Sequence, residues 1–350
     1  MQKNSIATEN AISCFCCTII LFYQWMKREN MRREWLHEAS DVSADDFERI
    51  LNESSKILSE ERRRRLESGL IYISSRRIMV VGDIHGDLES LSRIINDFFT
   101  YNVDKIVFLG DYGDRGDKSV EVYYTLLRFK MIVDASAEEE HAPETERERE
   151  EGEARVILLR GNHEGPPDLP VLPHELPFFF GKKYGARGRR LYERVVALWD
   201  LLPHAVFVKC ERGGGYLLMH GGVPENTRSV DDIAYAHLRH PQTSDFEEIL
   251  WNDPMEDEGC AFSMRGAGKR FGDDVTERVL RIINADTLIR SHEPCENGYS
   301  IAHNGRILTI FSRKGAPYFN NHAAYLLLNS SALIKAKNAY ELASENIVIW

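Results

Sequence analysis

Asp83 and His85 follow the apolar run Ile78-Met79-Val80-Val81 and a glycine, Gly82. Asp111 and Asp114 follow Ile106-Val107-Phe108-Leu109 and Gly110 in the same way. Asn162 and His163 come after Val156-Ile157-Leu158-Leu159 and Arg160-Gly161. His220 ends Tyr216-Leu217-Leu218-Met219, and His292 follows Thr287-Leu288-Ile289 and Arg290-Ser291. Short β-forming runs closed by tight turns read as buried strands. In α/β folds, ligands bind just beyond the C-terminal ends of such strands. Carboxylate, amide and imidazole donors together suit divalent ions such as Mn, Fe or Zn.

The set is rich enough for two ions. One takes Asp83, His85 and Asp111; the other takes Asp111, Asn162, His220 and His292. Asp111 then bridges, since the two oxygens of a carboxylate can face two cations. Two such ions lower the pKa of a shared water and clamp a transferring phosphoryl group. His163 lies next to Asn162, so its side chain diverges from a metal-facing Asn162 and is free for acid–base work. Asp114 is its candidate partner, fixing the imidazole tautomer. Arg115, Arg265 and Arg290 lie in motifs at the same edge, and guanidinium groups pair with phosphate oxygens. The other eight histidines (His37, His141, His174, His204, His237, His240, His303 and His322) lack this context and read as structural or surface residues.

The elements that must position these residues alternate. Ser43–Ser68 predicts a capped amphipathic helix, with Phe47, Ile50, Leu51, Ile57 and Leu58 on one face. Helical spacing recurs over Asp87–Thr100 and Lys118–Met131, after the first and second motifs. Strand, ligand loop, helix, repeated, is a βαβα unit with a right-handed crossover. Pro166–Phe180 reads as a loop over the site, and Leu191–Leu202 and Asp273–Ile283 as helices. Arg306–Phe311 and Ala323–Leu328 read as strands of a second, more antiparallel sheet.

Composition narrows the class. The formal net charge of −11 over 350 residues argues against nucleic acid as a main partner. Six scattered cysteines without paired spacing exclude a disulfide scaffold and point to a reducing compartment, the cytoplasm. The apolar run Ala11–Tyr23 is short for a membrane span, which needs about 20 residues, and lacks signal-peptide flanks. Residues 1–30 therefore read as an extension of doubtful role, an over-extended start ranking ahead of a membrane anchor. A helical segment 31–76, a catalytic domain 77–328 and a tail 329–350 complete the organisation. The domain carries an acidic insertion at 134–154 that has too little apolar surface for a core.

Gly82-Asp83-Ile84-His85-Gly86, Gly110-Asp111-Tyr112-Gly113-Asp114-Arg115-Gly116 and Gly161-Asn162-His163-Glu164 resemble the signature motifs of the phosphoprotein phosphatase family of metal-dependent Ser/Thr phosphatases. His220-Gly221-Gly222, Trp251-Asn252-Asp253-Pro254, Arg265-Gly266 and Arg290-Ser291-His292 follow in the family order. The resemblance runs from about Ile78 to about Leu328. It implies a four-layer α/β/β/α metallophosphatase fold (the calcineurin-like phosphoesterase fold) with a dinuclear centre held by the ligands named above. It implies His163 as general acid oriented by Asp114, and Arg115 and Arg265 on the phosphate. Arg290 would stand next to His292, and Asp253 would support a phosphate-binding arginine. The implied reaction is one-step in-line attack on phosphoserine or phosphothreonine by a metal-bridging hydroxide, with phosphorylated proteins as substrates. The chain departs from the family over Gly165–Gly188, in the acidic insertion, and at Phe311–Tyr318, where Tyr318 stands in for a family tyrosine. It resembles a divergent archaeal or bacterial type.

Two other readings compete. A dinucleoside tetraphosphate hydrolase resembles the first motifs, but Asp114-Arg115-Gly116 and Glu164 favour the protein phosphatase. A non-catalytic scaffold that binds phosphoproteins would have no need of the full ligand set and His163.

Overall fold

The computed structural model describes residues 35–140 and 154–350. Residues 1–30, Ala11–Tyr23 among them, lie outside the described residues, as does most of the acidic insertion. No helix among the described residues is long and apolar enough to cross a membrane.

A five-stranded sheet holds β2 (Ile78–Val81), β3 (Lys105–Phe108) and β4 (Val156–Leu158), with β13 (Ala324–Leu328) and β14 (Ile347–Ile349), in the order β14-β13-β2-β3-β4. A six-stranded sheet holds β1 (Leu70–Ile73), β5 (Ala205–Lys209), β6 (Gly215–Met219), β10 (Thr287–Arg290), β11 (Tyr299–Ala302) and β12 (Ile307–Ile310), in the order β1-β5-β6-β10-β12-β11. The two face one another, and the period-2 alternation of strand side chains explains how. Ile78, Val80, Val107 and Leu109 meet Val206, Leu218, Ile289 and Leu308 between the sheets. Met79, Val81, Ile106 and Phe108 point the other way into a helical layer. Leu217, Met219, Leu288 and Ile307 point outward from the second sheet into another. This is the expected α/β/β/α layering.

The first helical layer contains α1 (Ala44–Arg64), α2 (Leu88–Thr100), α3 (Ser119–Glu140), α4 (Leu176–Tyr184) and α5 (Gly188–Trp199). Ser43 caps α1 by accepting the Asp46 N–H at 3.1 Å. Phe47, Leu51 and Leu58 are buried beneath it, each worth about 1.5–3 kcal/mol in transfer terms. Asp87 caps α2 through the Ser90 N–H at 3.0 Å, which starts the helix immediately after the first motif. The second layer contains the short helices α6 (Val230–Ala234), α7 (Ala236–Arg239) and α8 (Asp245–Trp251), followed by α9 (Asp273–Ile283). Strands β7 (Asp253–Pro254), β8 (Cys260–Phe262) and β9 (Lys269–Phe271) form a small third sheet beside it.

Register brings the motifs together. Val81 pairs with Phe108, and Phe108 with Leu158, all in parallel. Asp83, Asp111 and Asn162 therefore leave the same edge, two, three and four residues past the paired positions. In the second sheet Leu218 pairs with Ile289, so His220 and His292 leave the matching edge. Close backbone approach completes this. A Cβ on Gly110 (φ +112°) would lie 2.4 Å from the Gly161 nitrogen, so only glycine lets the second and third loops touch.

Five expectations are corrected. Arg306–Phe311 and Ala323–Leu328 do not share a second sheet: β12 runs parallel to β10, whereas β13 joins β2 antiparallel in the first sheet. The described part of the segment 31–76 is helical over Ala44–Arg64 but not throughout, because β1 pairs with β5 and closes the edge of the six-stranded sheet. Residues 329–350 are not an appended tail. They form α10 (Ser330–Lys335), α11 (Ala339–Asn346) and β14, with Leu333 and Leu342 buried in the core between the sheets. The acidic insertion does not begin at 134, since α3 continues to Glu140. Helix α4 likewise occupies part of the expected loop Pro166–Phe180.

Candidate active site

Asp83, His85, Asp111, Asn162, His220 and His292 converge, all buried, at the shared edge of the two sheets. Two of the three rings, those of His85 and His220, are turned by a bond on the outer side. His85 Nδ1 meets the Gly113 carbonyl at 2.8 Å, which leaves Nε2 facing Asp111 Oδ2 at 3.3 Å and Asp83 Oδ2 at 3.5 Å. His220 Nδ1 meets the Leu109 carbonyl at 3.1 Å, which aims Nε2 inward. Such outer bonds set the tautomer and leave a lone pair for a metal. Asp83 spends Oδ1 on the Ser291 hydroxyl and the His292 N–H, so Oδ2 points at the cluster.

The inward atoms are mostly acceptors facing acceptors. Asn162 Oδ1 lies 2.9 Å from His220 Nε2, 3.1 Å from His292 Nδ1, and 3.0 and 3.2 Å from the two Asp111 oxygens. His220 Nε2 is 3.1 Å from His292 Nδ1 and 3.4 Å from Asp111 Oδ1. Turning the Asn162 NH2 inward would satisfy that amide, but Asp83 Oδ2 would stay buried with no partner. A cation in each half would relieve both conflicts. His85 and Asp111 in one half, and Asp111, His220 and His292 in the other, bring ligand atoms within 4.8 Å of one another, with Asp111 in both. The donor set thus fits the divalent ions expected. Burial opposes charge on Asp111, but His220 and His163 hold its carboxyl well below the usual range. Burial, with His220 and Arg265 nearby, pushes His292 down, so its ring stays neutral.

His163 joins the first group in space. Its Nδ1, however, is engaged by Asp114 Oδ2 at 2.6 Å, which leaves Nε2 for the cleft. Asp114 also accepts the backbone N–H groups of Glu175 and Leu176, each at 2.7 Å. Burial opposes its charge, yet His163 and His174 hold its pKa below the usual carboxylate range. His85, Asp111, Asp114, Arg115 and His292 all have left-handed φ, between +42° and +73°. Such backbone costs about 1–3 kcal/mol per residue and persists only where surroundings enforce it.

Arg115 and Arg265 line a cleft of about 600 Å³ together with His85, Asn162, His163 and His292. Arg115 is steadied by the Leu172 and Pro173 carbonyls, both at 3.2 Å. Asp253 holds Arg265 Nε at 2.6 Å and Arg290 Nη2 at 2.9 Å. Arg290 itself is corrected. Its guanidinium is fully buried and spent on the Gly221 and Asn252 carbonyls, Asp253 and Glu293. It holds the sheet edge behind His292 instead of contacting phosphate. Tyr318 lines the cleft, stacked on His85 with centroids 5.6 Å apart, consistent with its role as stand-in. Another cavity, about 380 Å³ between α1 and β1, contains none of these residues.

Three contributors were not assigned roles from the sequence. Glu164 is wholly buried and accepts the N–H groups of Asp111, Tyr112 and Gly161 and the Tyr123 hydroxyl. Ser291 clamps Asp83, and His174 sits on Asp114. The glutamate that closes the third motif was a usable signal; nothing in local spacing marked His174.

The profile of the Calcineurin-like phosphoesterase family matches residues 76–296, more than half of the chain. The chain belongs to that family. Among relatives of this metallophosphoesterase, a protein of Encephalitozoon cuniculi named "Probable serine/threonine-protein phosphatase" is 31% identical over 310 residues, 85% of this chain and 61% of the relative. Serine/threonine-protein phosphatase 5 of Homo sapiens is 32% identical over 264 residues, 74% of this chain and 47% of the relative. The chain thus spans between about half and three-fifths of the length of these relatives. A solved serine/threonine phosphatase of Saccharomyces cerevisiae, similar to human phosphatase PP5, superposes with a TM-score of 0.67 at 21% identity. That match covers 91% of this chain and 95% of the other, and shows the fold. The metallophosphoesterase fold implies divalent metal ions, for which the cluster above supplies the candidate ligands.

Proposed function

We propose that this metallophosphoesterase is a metal-dependent phosphoprotein phosphatase acting on phosphoserine and phosphothreonine. The observation that carries the reading is the shared cleft. An acceptor-lined pair of metal sites, the His163–Asp114 pair, and Arg115 with Arg265 all open onto it.

Asp83, His85 and Asp111 would hold one ion, and Asp111, Asn162, His220 and His292 the other. Bound divalent ions supply Lewis acidity toward the phosphoryl oxygens and lower the pKa of water. Arg115 and Arg265 pair with the remaining phosphoryl oxygens, their forks preset by the Leu172 and Pro173 carbonyls and by Asp253. His163, anchored at Nδ1, hands the proton on Nε2 to the leaving oxygen as the P–O bond breaks. The products are a seryl or threonyl hydroxyl and inorganic phosphate, with water as nucleophile.

The nitrogen and oxygen donors support Mn, with Fe or Zn compatible. The net charge of −11 supports protein substrates over nucleic acid. The described cysteines Cys210, Cys260 and Cys295 are free, in keeping with a cytoplasmic setting. The test is a substrate panel with added Mn: p-nitrophenyl phosphate, phosphoserine peptides and diadenosine tetraphosphate. Turnover of the phosphopeptides is expected; exclusive cleavage of the dinucleotide would overturn the reading in favour of a small-molecule hydrolase.

A further inference from the structure

The Asp114 carboxylate is shared. Oδ2 meets His163 Nδ1 at 2.6 Å and His174 Nδ1 at 2.8 Å. Oδ1 accepts the N–H groups of Glu175 and Leu176, so four donors surround one side chain. Beyond His174, Nε2 lies 2.8 Å from the Tyr192 hydroxyl on α5, with the two rings 5.7 Å apart. One proton arrangement satisfies the chain: Tyr192 O–H donates to Nε2, and Nδ1–H donates to Asp114. The same short segment holds Arg115. Its carbonyls at Leu172 and Pro173 accept from the guanidinium, and the Glu175 carboxylate accepts the Arg115 N–H at 3.1 Å. The segment lies inside Gly165–Gly188, where the chain departs from the motifs it otherwise resembles.

We propose that His174 is a positioning residue for the proton donor: it acts through Asp114 to hold the His163 imidazole against the leaving oxygen. The inference rests on the phosphatase reading above. An aspartate with a single imidazole on Oδ2 can swing about its side-chain bonds and take the acid with it. The second imidazole, tied to α5 through Tyr192, and the two backbone donors remove that freedom. Proton donation matters most where the leaving group is a poor one. A serine alkoxide needs the proton, whereas p-nitrophenolate leaves without it.

The experiment compares wild type, His174→Ala and His174→Asn, each with Mn, on a phosphoserine peptide and on p-nitrophenyl phosphate. Asn keeps an N–H donor near the position of Nδ1; Ala does not. His174→Ala should lose about 10-fold in kcat on the phosphopeptide and less than about 2-fold on p-nitrophenyl phosphate, a fraction of the 10²–10⁴ that a general acid contributes. His174→Asn should regain most of the phosphopeptide rate. Equal loss on both substrates, no loss on either, or failure of Asn to rescue a correctly folded Ala defect would overturn the inference alone. A wild-type protein inert on both substrates would overturn the phosphatase reading, and the inference with it.

Discussion

Replacing Glu164 by Gln should loosen the loop that presents Asp111, and the size of the effect can be worked out from the contacts. Glu164 Oε2 accepts the N–H groups of Asp111 at 2.7 Å and Gly161 at 3.2 Å. Oε1 accepts the Tyr112 N–H at 3.0 Å and the Tyr123 hydroxyl at 2.7 Å. Burial and the nearby Asp111 carboxylate push its pKa up, while three N–H groups and the Tyr123 hydroxyl are best met by the ionised form, whose two oxygens only accept. In Glu164→Gln the best orientation turns the NH2 toward Tyr123, whose hydroxyl rotates to accept. The Tyr112 N–H is then buried without a partner, at about 1–3 kcal/mol. The surviving bonds lose their charge assistance, about 1 kcal/mol each. Relief of repulsion with Asp111 returns part of this, leaving a net loss of about 3 kcal/mol. With a urea slope near 3 kcal/mol/M, the unfolding midpoint falls by about 1 M. Urea titration followed by tryptophan fluorescence measures it. A midpoint within about 0.2 M of wild type would refute the claim that this carboxylate holds the Asp111 loop.

Further expectations concern the metals, the phosphate and acid stability. Asp111→Ala should lose both ions, since both halves of the cluster use it; retention of two ions per chain by metal analysis would remove its bridging role. Arg265→Ala should lower kcat/KM on a phosphopeptide by about 10–100-fold through loss of a charge-assisted contact, and Arg290→Met should instead show first as lost stability. His204 is buried, which pushes its pKa down to about 3, and its Nε2 bonds the Ile233 carbonyl. Its folded pKa lies below its unfolded value near 6.5, so the unfolded chain binds the extra proton. Its contribution is therefore complete above pH 6.5 and falls by about 1.4 kcal/mol per unit as pH drops toward 3. In His204→Gln the decline of stability between pH 6.5 and 4.5 should be shallower by that slope; an unchanged decline would show that another group controls it.

The ligand set was readable because each member lies one to four residues past a short strand of three to five residues, and strand ends are the most local of tertiary signals. Asp83, Asp111 and Asn162 needed only parallel pairing to meet, which helical crossovers dictate. The strands β1 and β5 were missed for the opposite reason. Leu70–Ile73 is short and follows a charged run, and its pairing with Ala205 lies far along the chain. Assigning β12 and β13 to one sheet failed because adjacency in sequence does not decide which side of a sandwich a strand enters. Arg290 looked like a phosphate ligand because a motif cannot show that all of its donors are already used. His174 looked bland because its partners, Asp114 and Tyr192, come from other segments.

The most direct test of the central claim combines two readings on one preparation. Metal content and phosphoserine-peptide turnover are measured for wild type and for His163→Ala, both supplied with Mn. Two ions per chain are predicted in both proteins, with turnover falling at least about 100-fold in the variant as the proton donor is removed. A wild type that binds no metal and releases no phosphate, or a His163→Ala enzyme as fast as wild type, would contradict the account.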